Sequence, residues 1–150
     1  MIFLQGNIKP SIASTQIYSA GLLLILLFLP GLVFADACRD ASKDLRSSFE
    51  VTQGRGGLWG YMEQTSSLKE DSMIGFQVDG KLQRVIVLFE NRCAKSKKPS
   101  KADYDKIMNV LGDARMIFNM RPGKNPAKEI KAKIEEVNVS LDKLITELDS

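Results

Sequence analysis

Six apolar residues near the end of the chain, Ile130, Ile134, Val137, Leu141, Leu144 and Leu148, recur at spacings of 4, 3, 4, 3 and 4. Each pair of steps spans seven residues, close to two α-helical turns, so all six fall on one stripe of a helix. A strand would throw them alternately to opposite faces. The stripe is too apolar to face water along its whole length, so other elements must cover it. A bundle helix packing on neighbours in its own chain meets that need more simply than a self-associating coiled coil.

The rest of the chain supplies the neighbours. Tyr104, Ile107, Met108, Leu111 and Phe118 form a second stripe, introduced by Ser100 as a cap with Asp103 in the first turn and ended by Arg121-Pro122-Gly123. Asn125 is placed to cap the final helix, with Pro126 at its first position, where the missing N–H costs nothing. Cys38, Ala41, Leu45 and Phe49 mark one face of a helix over 36–53, which Gly54-Arg55-Gly56-Gly57 ends. Residues 79–96 carry two signals. Leu82, Val85, Ile86, Phe89 and Cys93 fit a helix, whereas Val85 to Phe89 is β-prone and Asp79-Gly80 suits a hairpin turn. Helix is favoured, because the strand alternation fails around Arg84. The expected fold is all-α, an antiparallel four-helix bundle with a long irregular crossover over 54–78. The alternative is an α+β fold with a hairpin at residues 73–89.

The beginning of the chain is a different kind of segment. Residues 1–35 hold Lys9 as their single charge, an apolar run from Ala20 to Leu29, a Pro30-Gly31 break, and Val33 and Ala35 at the positions a signal peptidase must accommodate. They read as a signal peptide cleaved after Ala35, leaving a single small helical domain over 36–150. The destination is periplasmic or secreted, with a membrane attachment only if the signal stays uncleaved. An exported chain with two cysteines, Cys38 and Cys93, is most simply read as holding one disulfide. Cys38 to Phe49 and Leu82 to Cys93 both span 11 residues. Two antiparallel helices joined at the cysteines therefore bring Phe49 level with Leu82 and form a continuous apolar seam.

The side chains present exclude much chemistry. There is no histidine, so the commonest general base, the commonest zinc ligand and the haem attachment motif are missing. Gly54-Arg55-Gly56-Gly57 lacks the Lys-Ser/Thr ending of a phosphate-binding loop. Asp36, Asp40 and Asp44 alternate with Arg39, Lys43 and Arg46 and read as a solvated, ion-paired face. Met116 and Met120 read as core filling rather than a soft-metal site. No cofactor and no metal are expected, and no enzymatic activity. Loss of the signal removes one lysine and no acid, leaving 20 basic against 18 acidic side chains, or +2. That is too near neutrality to point to nucleic acid.

Function is therefore expected in binding. The expectation is an exported, non-catalytic bundle that binds a protein partner or assembles into an extracytoplasmic complex. Its candidate contact residues are Lys95, Lys97, Lys98, Lys124 and Lys128, which suit an acidic surface. The alternative is a small-ligand-binding or sensory module with a pocket at the 54–78 crossover, lined by Trp59 and Tyr61.

Overall fold

The computed structural model describes residues 37–54 and 56–150. The segment read as a signal peptide lies outside the described residues. Five α-helices account for most of the described chain, with no strand among these residues: α1 over residues 37–53, α2 (Gly57–Glu63), α3 (Ser72–Ser96), α4 (Lys101–Ile117) and α5 (Ala127–Asp149). A single 3₁₀ turn, Lys69–Asp71, leads into α3. The fold is an all-α helical bundle of four long helices, with α2 in the first crossover.

The α5 stripe does what its period requires. All six of its apolar residues are 0–4% exposed, each such burial stabilising by roughly 2 kcal/mol before entropy is counted. They share one core with Leu82, Val85, Ile86 and Phe89 of α3, Ile107, Leu111, Ala114 and Ile117 of α4, and Leu45 of α1. Among α2 to α5 the hub is α3, which packs more on α5 and α2 than on α4, while α4 rests chiefly on α5.

Cys38 and Cys93 form a disulfide, with their Cα atoms 5.9 Å apart. Farther along the same interface, Arg46 donates two hydrogen bonds to the Glu90 carboxylate, at 2.6 and 2.5 Å. Gln53 reaches Asp79 at 3.2 Å. Partner numbers fall along α3 as they rise along α1. Ser100 caps α4 as expected, its hydroxyl accepting from the Asp103 N–H. The start of α5 is one residue later than expected. Pro126 is the N-cap with ψ near 140° and no side-chain cap, and its carbonyl accepts from Glu129 and Ile130.

The crossover is where the structure corrects the sequence reading. Residues 54–78 are mostly helical, and α3 begins at Ser72, so the alternative hairpin at 73–89 does not form. Asp79 lies within α3 and caps α2 from a distance. Its carboxylate accepts from the Leu58 and Trp59 N–H groups, both at 3.0 Å, in addition to Gln53. These are orphan donors of the first turn of α2, which has no cap of its own. Burial pushes the Asp79 carboxyl above its usual range, and the Trp59, Leu58 and Gln53 donors pull it partly back.

Two glycine sites make this approach possible. Gly56 and Gly57 adopt left-handed φ of 80° and 65°, and a Cβ on Gly57 would lie 2.3 Å from an Asp79 oxygen. A Cβ on Gly75 would lie 2.8 Å from the Leu58 carbonyl carbon and the Trp59 nitrogen. The backbones of α2 and α3 therefore touch at Gly75.

Candidate functional site

The five lysines expected to bind a partner form two groups. Lys95 is in the last turn of α3, and Lys97 and Lys98 occupy the turn into α4. Lys97 ends α3 in a left-handed conformation with φ 56°. The Ser96 hydroxyl donates to the Lys98 carbonyl at 2.7 Å, and the disulfide holds Cys93 one turn back. This turn thus displays three exposed lysines. No ion pair engages Lys95 or Lys97 among the described residues.

Lys124 and Lys128 are exposed at the other end of α4, a helix of 17 residues, or about 25 Å. Lys124 sits in a turn closed by its own N–H and that of Asn125 on the Arg121 carbonyl. The two groups flank the helix and do not merge into one patch.

A cleft of about 670 Å³ opens beside the first group, between the end of α3, the start of α4 and the end of α5. Arg92, Lys95 and Lys98 line it together with Ser96, Asp103 and Asp149. Arg92 is paired with Asp103 at 3.6 Å, and Asp149 with Arg84 at 3.4 Å, while no ion pair engages Lys95 among the described residues. Sequence reasoning found the lysines but missed the cleft, because its third wall is the far end of α5. The only hint was the similar length of α3 and α5.

Trp59 and Tyr61 sit on different sides of α2. Both are on α2, two residues apart, which turns them to opposite sides of the helix. Trp59 is 49% exposed. Tyr61 turns inward, donates to the Met120 carbonyl at 2.5 Å and meets the Phe118 ring edge-on at 5.7 Å. Burial raises its phenol pKa. Tyr61 is thus a brace between α2 and the end of α4, and neither residue lines a cleft described for this structure.

Several other polar groups are engaged structurally. Asp44 accepts from the Tyr104 hydroxyl, and Asp71 pairs with Lys131 at 2.9 Å. Asn138, the first residue of an Asn-Val-Ser acceptor pattern, lies inside α5 with its amide oxygen taken by Lys81 at 2.8 Å. Met116 and Met120 border a shallow cleft between α4 and α5, with Met116 half exposed rather than core-filling. Among the described residues no group of three or more Asp, Glu, Cys or His could share a metal ion.

Compared with protein-family models, curated proteins and solved structures, the chain matches none.

Proposed function

We propose that this chain is an exported, non-catalytic bundle protein that works by binding a protein partner, with the α3–α4 end as its contact surface. The observation that supports this reading is the turn carrying Lys95, Lys97 and Lys98, all exposed beside an open cleft. One exposed ion pair contributes under about 1 kcal/mol. Three lysines held on one turn instead steer an acidic surface during encounter and fix its orientation. The disulfide suits an oxidising compartment, where such a turn keeps its shape.

The cleft also favours a second reading, in which it takes a small anionic ligand against Lys95 and Lys98. One experiment separates the two. The triple reversal of Lys95, Lys97 and Lys98 to Glu is compared with wild type for partner capture from the exporting compartment at low and physiological salt. Exposed charges are screened beyond about 8 Å at physiological ionic strength. Capture should fall with salt and be lost in the variant, while helical content stays unchanged. Capture that survives the reversal and ignores salt rules out this end as the contact. Anion-induced stabilisation of wild type, absent from the variant and without any captured protein, would select the ligand reading.

A further inference from the structure

One face of α3 is left uncovered by the bundle. Met73, Phe76, Gly80, Gln83 and Val87 recur at spacings of 3, 4, 3 and 4, the same seam period that α5 buries. Here every position is exposed, Met73 by 64%, Phe76 by 61% and Val87 by 40%. Gln77 and Arg84 border the row and are exposed as well. The flanks of α3 are occupied elsewhere, with Asp79 and Glu90 turned to α2 and α1 and Lys81 to α5. The open face therefore carries Arg84 as its only charge between Met73 and Val87.

We propose that two copies of this chain pair through this face, with their α3 helices antiparallel and crossing at Gly80. Three observations select a second copy as the occupant. The first is the order of residues about Gly80. Met73 and Val87 lie seven positions to either side, so a two-fold axis at Gly80 sets each Met73 against Val87 of the other copy. The same axis sets Phe76 against Arg84 and Gln77 against Gln83, a cation–aromatic contact and an amide pair. A surface that is complementary to itself in this way is what a two-fold dimer requires.

The second is the crossing point. A Cβ built on Gly80 meets nothing within 4 Å, so the two backbones can approach to the lower end of the usual interaxial range, about 8 Å. The third is charge and area. Parallel pairing in register would oppose the two Arg84 side chains, whereas antiparallel pairing separates them by eight residues of helix, about 12 Å, beyond the screening length. Phe76, Met73 and Val87 offer roughly 250 Å² of exposed apolar area per copy. With the stems of Gln77, Gln83 and Arg84 the pair would bury about 1,000 Å² in all, in the range of weak, transient interfaces. Such a dimer would be weak and reversible. It leaves the α3–α4 turn free, so it is independent of the partner-binding reading.

The test is sedimentation of the protein expressed from the full chain, as wild type and as Phe76→Arg, over about 1 to 300 µM. Wild type should shift from monomer to dimer across this range. Phe76→Arg, at an exposed position, should keep its helical content and weaken dimerisation at least tenfold. A mixture of Met73→Cys and Val87→Cys proteins should cross-link between the two variants and not within either. Monomeric wild type at 300 µM overturns the proposal, and so does a dimer that Phe76→Arg leaves intact. Cross-linking within one variant alone overturns the antiparallel geometry. A monomer that floats with phosphatidylglycerol vesicles through Phe76 would assign the face to lipid and overturn self-pairing.

Discussion

Replacing Gly75 by alanine tests the contact that distinguishes this bundle from four helices joined by an irregular loop. Within a free helix, Gly→Ala stabilises by about 1 kcal/mol. At Gly75 the added methyl would sit 2.8 Å from backbone atoms of Leu58 and Trp59, where carbon contacts prefer about 3.5–4.0 Å. Because the opposing atoms are backbone, α2 as a whole must retreat by about 0.7 Å or more. The Leu58 and Trp59 bonds to Asp79, now 3.0 Å, would then stretch beyond useful length. Overpacking costs about 1–3 kcal/mol, and losing one bond to a charged acceptor costs about 1.5–3 kcal/mol. Taken toward the low end of both ranges and after the propensity gain, the net destabilisation should be about 2 kcal/mol. Gly112 is the control, inside α4 with nothing within 4 Å of its would-be Cβ. Its alanine variant should gain up to about 1 kcal/mol. In urea unfolding followed by circular dichroism, with m near 1.5 kcal/mol/M, the two midpoints should move in opposite directions and differ by about 2 M. If Gly75→Ala stabilises as much as Gly112→Ala, α2 does not rest on α3 and the reasoning fails.

Asp79 should leave a pH signature. Its folded pKa is raised, chiefly by burial, so protonation favours the folded state, and its contribution to stability is greatest below the ordinary carboxylate pKa. That contribution is lost as pH rises through the window up to the raised value. The stability of wild type relative to Asp79→Asn should therefore increase on acidification through this window; a difference that is flat or falls with acid refutes the assignment. Removing the disulfide with Cys38→Ser and Cys93→Ser should cost about 2–4 kcal/mol through release of the 55-residue loop in the unfolded chain. Unfolding midpoints with and without the bond would measure it, and no change would mean the unfolded chain is not constrained by the link.

The parts legible in the sequence share one property: their determinants are local and periodic. The stripe of α5, the stripe and Ser100 cap of α4, and the apolar face of α1 each recur within one helix, so spacing alone sets which side is buried. The disulfide was legible too, because the equal 11-residue spacings in α1 and α3 fix a register only if Cys38 and Cys93 meet. The exposed lysines were readable as a basic turn, since hydrated ammonium groups have no reason to enter a core. The divergence of Trp59 and Tyr61 was not legible, because residues 54–78 read as irregular. As a helix, α2 sends the two side chains opposite ways.

Tertiary structure decided the rest. Gly56 and Gly57 read locally as breakers, and Asp79-Gly80 as a turn, because in isolation these residues favour such conformations. Their roles emerge only when α2 and α3 touch: the glycines remove the atoms that would collide, and Asp79 supplies from another helix the acceptors that α2 lacks. The cleft at the α3–α4 end likewise exists only where the far end of α5 returns to it. A spacing rule compares residues a turn or two apart, whereas a close backbone approach or a distant cap joins residues that share no period.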